Sequence, residues 1–232
     1  MRRNAGSAGG RSFVRGIFES PRSTGLSRRI GILLILIVLA MSRGWSEAKQ
    51  TGCEQARRTN HWCRAGNVGY VAGLEIRSRF LYEVLDAHGH TIVPQAVQCD
   101  VCREALKSHG YCPAHRMGYV GGRAYMTPLT YYLARGRRVD PASITCPICR
   151  KNLQGIGWCE RDHVGIVGTT ALDDRQEFEE LTKAYQILVA AIQMSSTCER
   201  CSGAMVADGY CAIHRIKFKD GVPVPGFGGV SP

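Results

Sequence analysis

One cysteine spacing occurs three times in this chain and limits what the chain can fold into. In each copy two cysteines are separated by two residues, nine residues follow, and two or three residues separate the third cysteine from a histidine. The sets are Cys99, Cys102, Cys112 and His115; Cys146, Cys149, Cys159 and His163; and Cys198, Cys201, Cys211 and His214. Units of about 40 to 50 residues bury little apolar surface, so we expect metal and helix packing to stabilise them.

Each set contains the donors of a complete tetrahedral zinc site. Structural zinc takes four thiolate or imidazole ligands, and a CxxC pair lets one tight turn direct two sulfur atoms at one point. Nine residues are enough for a short hairpin that brings back the second ligand pair. We therefore predict that each repeat binds one zinc ion, three in all, with iron as the alternative metal.

The residues before each third cysteine also repeat. A glycine and an aromatic residue stand there in every set, as Gly110 and Tyr111, Gly157 and Trp158, and Gly209 and Tyr210. We expect the glycine to adopt positive φ in a hairpin turn, and the ring to cover one side of the metal.

A fourth, incomplete copy precedes these three. Nine residues lie between Cys53 and Cys63, the last of them Trp62, but Gln50 and Asn67 stand where the other two ligands are expected. Because two cysteines alone cannot close a structural zinc site, we expect this copy to hold no metal. Its pair completes the total of 11 cysteines and is predicted to form a disulfide in an oxidising compartment.

The first 48 residues have the composition of a targeting segment. Seven arginines and one acidic residue precede the apolar run 30–41, and small residues follow at Ser46 and Ala48. This order is typical of a secretory signal cleaved after Ala48. An uncleaved membrane anchor is the alternative, although a spanning helix needs about 20 residues.

The position of the arginines predicts where the remainder of the chain lies. Basic residues before the apolar run keep the N-terminus inside, so we expect the rest to be exported, periplasmic or membrane-anchored. Arg28 and Arg29 also resemble a twin-arginine export signal. A leader rich in arginine and serine is equally typical of a mitochondrial presequence in a eukaryote.

Most of the net charge of +11 belongs to this leader. Eight basic and two acidic residues lie through Ala48, which leaves +5 for the remainder. Three zinc ions, each bound by three thiolates, would lower that charge to about +2. The basic composition is therefore weak evidence for nucleic-acid binding.

The intact repeats resemble the zinc-ribbon and zinc-knuckle families. The resemblance lies in the ligand pairs Cys146 with Cys149 and Cys159 with His163, and in Pro147–Ile148 between the first pair. It covers about 20 residues of each repeat and implies metal binding without implying one activity. A RING finger would need a further cysteine pair after the histidine, and the sequence has none there.

We accordingly predict an α+β chain of small metal-stabilised modules, tandem zinc-ribbon-like hairpins each followed by a helix or strand. The predicted segments are 1–48, signal or anchor; 49–91, metal-free repeat plus helix; 92–141, zinc repeat 1; 142–194, zinc repeat 2 with a long helix; and 195–232, zinc repeat 3 with a flexible tail.

Three helices are expected outside the metal sets. Apolar spacing predicts one over 74–87, Thr127 and Pro128 open a second as N-cap and first residue, and a third covers 173–194. The third presents an apolar seam of Phe178, Leu181, Tyr185, Leu188 and Ile192. This seam packs on the chain's own modules or, alternatively, on a second copy.

Closed four-ligand sites favour a structural role, because catalytic zinc keeps one coordination position open. The sequence contains no serine-nucleophile motif and no phosphate-binding glycine loop. We therefore predict a protein that is not an enzyme and binds a partner protein as an exported or membrane-anchored zinc module. Metal handling or thiol redox work is the first alternative, and nucleic-acid binding is the second.

Overall fold

The computed structural model describes residues 52–225, which belong to one compact unit. The predicted leader, its cleavage site and Gln50 lie outside the described residues. Among the helices of residues 52–225, none has the length and apolar character needed to cross a membrane.

One structural module is built four times. The first has helix α1 at residues 52–59, strands β1 (Trp62–Cys63), β2 (Val68–Val71) and β3 (Leu74–Ile76), and helix α2 (Arg79–Leu85). The second has β4 (His90–Thr91), α3 (Asp100–Ser108), β5 (Tyr111–Cys112), β6 (Met117–Val120), β7 (Arg123–Tyr125) and α4 (Pro128–Arg135).

The third and fourth modules follow the same order. The third has β8 (Arg137–Arg138), α5 (Pro147–Asn152), β9 (Ile156–Cys159), β10 (Val164–Val167), β11 (Thr170–Leu172) and α6 (Arg175–Ser195). The fourth has α7 (Glu199–Val206), β12 (Tyr210–Cys211), β13 (Ile216–Lys219) and β14 (Val222–Val224). Short 3-10 turns at Pro94–Ala96 and Pro141–Ser143 precede α3 and α5.

Each module has its own antiparallel sheet. The strand orders are β1-β2-β3, β5-β6-β7-β4, β9-β10-β11-β8 and β12-β13-β14. The register repeats as well, since Trp62 pairs with Gly69, Tyr111 with Gly118 and Trp158 with Gly165. The predicted α+β class of repeated small modules is thereby confirmed. The β8 strand precedes residue 142 and pairs with β11 in the third sheet.

The nine residues between the second and third cysteines begin with a helix, where we expected a hairpin. In the second module α3 buries Cys102 and Ala105 while its other positions remain more exposed. Residues three apart share one face of a helix, so this pattern fits a helix and not a strand. The helix ends at His109, whose φ of 56° reverses the chain toward β5.

Two other predicted boundaries shift because strand pairing takes precedence over local preference. Residues 74–76 form β3 against β2, and α2 begins only after Ser78, whose hydroxyl accepts a hydrogen bond from the Leu81 amide. The predicted flexible tail contributes β13 and β14 to the fourth sheet. The α4 start at Thr127 and Pro128 is confirmed.

The modules share one apolar core around α6, which packs against α4 and α7. Phe178, Leu181 and Leu188 of the predicted seam are buried there, while Tyr185 and Ile192 are partly buried against the same core. The seam therefore packs on the chain's own modules, and association of two copies through this helix stays a prediction.

Polar and close backbone contacts also join modules distant in sequence. The Ser78 hydroxyl at the start of α2 donates to Glu199 of α7 over 2.6 Å. Arg116 of the second module forms an ion pair with Asp208 of the fourth, whose side chain is only 6% exposed. At Gly168 a Cβ atom would lie 2.8 Å from the Ala72 backbone, so the hairpin turns of the first and third modules meet without room for a side chain.

Candidate metal centres

The structure brings three cysteines and a fourth donor together in three of the modules. Each group offers ligand atoms that all lie within 4.8 Å of one another. The groups are Cys99, Cys102, Cys112 and His115; Cys146, Cys149, Cys159 and Asp162; and Cys198, Cys201, Cys211 and His214. Every predicted ligand except His163 is therefore in a group of this kind.

The same local structure positions the donors in each module. The first cysteine is the N-cap of a helix and the second lies in the first turn, as Cys99 and Cys102 do in α3. The third ends a short strand, and the fourth ligand lies in the turn to the next strand, as Cys112 and His115 do. The helix start and the strand turn thus direct their donors to one point.

The distances between donors fit a single tetrahedral ion. Zinc–sulfur bonds of about 2.3 Å and zinc–nitrogen bonds of about 2.1 Å place neighbouring donors roughly 3.5 to 3.8 Å apart. The sulfur atoms of Cys146 and Cys159 are 3.8 Å apart, and Cys112 Sγ lies 3.6 Å from Nδ1 of His115. None of the nine cysteines in the three groups is in a disulfide. The three groups could each hold a metal ion.

In the third module the structure places Asp162 in the four-donor group, where we predicted His163. Asp162 Oδ2 lies 3.1 Å from Cys149 Sγ. His163 is exposed and has a φ of 49°. Arg116 and Arg215, one residue after the fourth donors of the other modules, have similar φ values of 54° and 55°. In all three groups two residues separate the third cysteine from the fourth member, and in the third module that member is Asp162. The prediction of His163 relied on residue type and not on this spacing.

In the first module a disulfide takes the place of the metal. It joins Cys53 to Cys63, with 5.0 Å between their Cα atoms. The residue equivalent to the fourth donor is Gly66, and Asn67 has the left-handed conformation of the following position. A Cβ atom at Gly66 would lie 2.9 Å from Cys53 Sγ, so the disulfide leaves no room for a fourth ligand there.

The aromatic residue before the third cysteine packs on the next helix, where we expected it to cover the metal. Trp62 contacts Tyr82, Tyr111 contacts Tyr131 and Trp158 contacts Phe178, with ring centroids 5.3, 5.5 and 5.5 Å apart. The positive φ predicted for the preceding glycines belongs to the residue before them, His109 in the second module and Asp208 in the fourth.

A strand glycine makes this ring packing fit. At Gly69, Gly118 and Gly165 a Cβ atom would overlap Tyr82, Tyr131 and Phe178 respectively. In every case 13 positions separate the glycine from the helix ring, a regularity that is visible in the sequence but whose meaning only the packing reveals. The fourth module has Lys217 at this position, and no helix follows β14 as far as residue 225.

The residue after the strand glycine covers the donor cluster, and the sequence patterns described above did not identify it. Tyr119 is buried beside Cys102 and Cys112, and Ile166 is buried beside Cys146, Cys149 and Cys159. Each stands four positions after the fourth donor, as Tyr70 and Phe218 do in the first and fourth modules. A large side chain at this spacing is the signal that could have identified the cover.

The thiols within a cluster differ in acidity. Burial is the main influence on Cys102 and raises its pKa to about 11, and burial likewise raises the pKa of Cys201 to about 12. Burial opposes ionisation of Cys112 as well, but hydrogen bonds from the His115 backbone and side chain lower its pKa to about 7. A bound cation would stabilise the thiolate forms of these cysteines.

No protein-family model matches this chain, no curated protein matches it, and no solved structure matches its fold. The donor clusters and the modules around them are therefore the basis for assigning a role. Those clusters hold soft sulfur donors with one nitrogen or oxygen donor, a combination that suits zinc better than magnesium or calcium.

Proposed function

We propose that this chain is a zinc-binding protein without enzymatic activity, which acts as an interaction module for a partner protein. The observation that carries the proposal is the set of three four-donor clusters at equivalent places in modules that share one core. Four filled positions leave none for a substrate, and this is the usual arrangement of structural zinc. The ions would act with the Cys53–Cys63 disulfide to hold the modules together.

Native mass spectrometry of the purified chain tests the metal assignment. We expect three zinc ions and one disulfide per chain, retained through dialysis and against a mild chelator. A metal carrier, the alternative function, would release all three ions under those conditions. A chain without metal, or one whose nine remaining cysteines are joined in disulfides, contradicts the proposal.

The fourth module offers the surface that we propose for the partner. Tyr210 is 53% exposed, whereas the equivalent rings of the other modules contact the helix that follows their sheet. Ile213 and Val222 are exposed nearby on the same small sheet and its turn, and Lys219 pairs with Val222. An apolar and basic sheet face of this kind fits an amphipathic helix with acidic flanks.

A photo-crosslinking residue placed at Tyr210 tests this surface, with Met126, exposed outside the fourth module, as the matched control position. We expect a discrete adduct from position 210 in the chain's own cells and none from position 126. In the purified system an acidic amphipathic helical peptide should compete for the adduct. An adduct with the mass of two chains would show a second copy on this face and contradict the partner assignment.

We also propose that the chain acts outside the cytoplasm. The support is the composition of residues 1–48 together with a disulfide, which persists in oxidising compartments. Mass spectrometry of the cellular protein distinguishes a cleaved leader from an anchor. A mature chain starting at Lys49 indicates cleavage, and an intact chain in the membrane fraction indicates an anchor. An intact chain in the soluble cytoplasmic fraction contradicts export.

A further inference from the structure

The donor set of the third module differs from the other two in its fourth ligand. A carboxylate oxygen of Asp162 stands where the others have imidazole nitrogen. Oxygen is a harder donor than nitrogen and suits a zinc–thiolate site less well. Arg161 would compete with the ion for Asp162, because Arg161 Nε donates to Asp162 Oδ1 over 2.9 Å. The Asp162 side chain is also 35% exposed.

An open cavity of about 250 Å³ adjoins this donor set. Three of the four donors, Cys146, Cys149 and Asp162, form part of its wall. Arg137 supplies a positive charge to the lining, and Ser143 and Thr145 supply hydroxyl groups. An ion bound by these donors would therefore lie beside a space that holds several non-hydrogen atoms.

Arg137 is available to an incoming anion. Its protein partner is Asp173, at 3.6 Å, and both side chains are well exposed, so solvent screens that pair. The remaining lining is apolar and includes Val139, Ile144 and Ile166. The cavity thus combines one cation with an apolar wall next to the carboxylate donor.

We propose that the ion of this third site is exchangeable, and that a small anionic thiol entering the cavity replaces Asp162 as its fourth ligand. The inference rests on the proposed zinc binding. In the exchange the thiol loses its proton to solvent and its sulfur binds the ion. The Asp162 carboxylate leaves the ion and keeps its pair with Arg161. The anionic group of the ligand lies near Arg137.

The test uses the full chain loaded with natural zinc and then incubated with zinc-67 and mercaptoacetate, which carries one thiol and one carboxylate. Native mass spectrometry counts the exchanged ions. We expect one ion to exchange at least about tenfold faster than the other two, the scale of effect that changes around a metal site produce. The two Cys3His sites serve as controls within the same molecule.

Alkylation with N-ethylmaleimide of a parallel sample without added thiol locates the site without any variant, because mercaptoacetate would itself consume the maleimide. Peptide mapping should show Cys146, Cys149 and Cys159 labelled first. Asp162→His, which creates a third Cys3His set, should remove the fast exchange. Arg137→Gln should weaken the effect of mercaptoacetate about tenfold, as for a lost charge-assisted contact, and leave that of the uncharged 2-mercaptoethanol unchanged.

The outcomes separate this inference from the proposed function. Three retained ions that exchange at equal rates overturn the exchangeable site alone, as does first labelling in either Cys3His set. An unchanged response of Arg137→Gln to mercaptoacetate overturns the anionic ligand class. A chain that carries no zinc overturns both proposals.

Discussion

The first and second modules have the same fold but are closed by different chemistry. Both place a helix, a two-residue strand and a hairpin in the same order and with the same register. In the first, Cys53 and Cys63 form a disulfide, and in the second the equivalent Cys102 and Cys112 belong to a four-donor cluster. The comparison shows that helix and hairpin packing define the module, and that either crosslink can close it.

The disulfide and a metal-bound donor cluster differ in how much they stabilise the folded module. A disulfide that closes a loop of about ten residues contributes roughly 2 to 3 kcal/mol in the chain-entropy model. Zinc in a small structural site contributes on the order of 10 kcal/mol or more. Since the modules share one core, loss of the stronger closures should extend beyond the modules that contain them.

Removal of metal is the change with the largest expected effect on this comparison. A strong chelator should abolish most helical circular dichroism, because α3, α5 and α7 each begin at a donor cluster. Hydrogen exchange should show that α2 of the disulfide module loses protection too, through its packing on α7. Retention of the native spectrum after complete metal removal would show that metal does not stabilise these modules more than the disulfide does. Readdition of zinc, which should restore the spectrum, provides the control.

Loss of the disulfide should have a smaller effect. We expect the Cys53→Ser, Cys63→Ser double variant to lose about 2 to 3 kcal/mol of unfolding free energy in urea denaturation. It should still bind three ions by native mass spectrometry, since neither residue belongs to a donor cluster. Loss of an ion in this variant would mean that the two kinds of closure are not independent.

Alanine at the strand glycine should affect both modules alike. At Gly69 and at Gly118 the added methyl group would overlap the helix ring, and overpacking of this kind costs about 1 to 3 kcal/mol. Gly155→Ala is the matched control, because no heavy atom beyond its two chain neighbours lies within 4 Å of its Cβ position. Denaturant midpoints check the result. A large effect at only one of the two glycines would show that the closure, and not the packing, defines the module.

The smallest expected difference between the two modules is in the pH dependence of stability. It comes from a histidine pair that the first module has and the second lacks. The rings of His61 and His88 are 4.1 Å apart, and the second module has Gly110 at the position of His61. Burial, and then the charge of His61, lower the pKa of His88 below its usual value of 6.5. The neutral form therefore stabilises the fold above about pH 6.5, and this contribution is lost as pH falls through the folded-state pKa.

NMR titration of the His88 ring measures this pKa directly. We expect a value below 6.5 in the native chain and a rise toward 6.5 in His61→Gln, which removes the neighbouring charge but leaves the burial. A His88 pKa that is the same in His61→Gln as in the native chain would contradict the expected coupling of the two rings.

Local chemistry explains which features were predictable. Two cysteines separated by two residues, with a third after nine more, identify donor sets because this spacing supplies most of a closed tetrahedral zinc site. The Thr127 and Pro128 start of α4 and the position of α6 followed from capping and from apolar periodicity. These features depend on residues that are neighbours along the chain.

The choice between adjacent residues was not predictable from residue type. Histidine is the commoner partner of cysteine, yet the third cluster contains Asp162, because His163 occupies the left-handed position after the turn. Similarly, the nine residues after Cys102 had the length for a hairpin, but burial of Cys102 with Ala105 on one face favours the helix. Backbone conformation and packing decided both cases.

The sequence alone therefore determined the number of modules, their cysteine donors and the absence of a complete donor set in the first, since these follow from residue types at fixed spacing. Only the tertiary structure decided that α6 joins the modules in one core, that Asp162 lies in the third four-donor group, and that the strand glycines receive rings from the next helix. Such contacts depend on the three-dimensional arrangement of helices and strands, which spacing along the chain does not define.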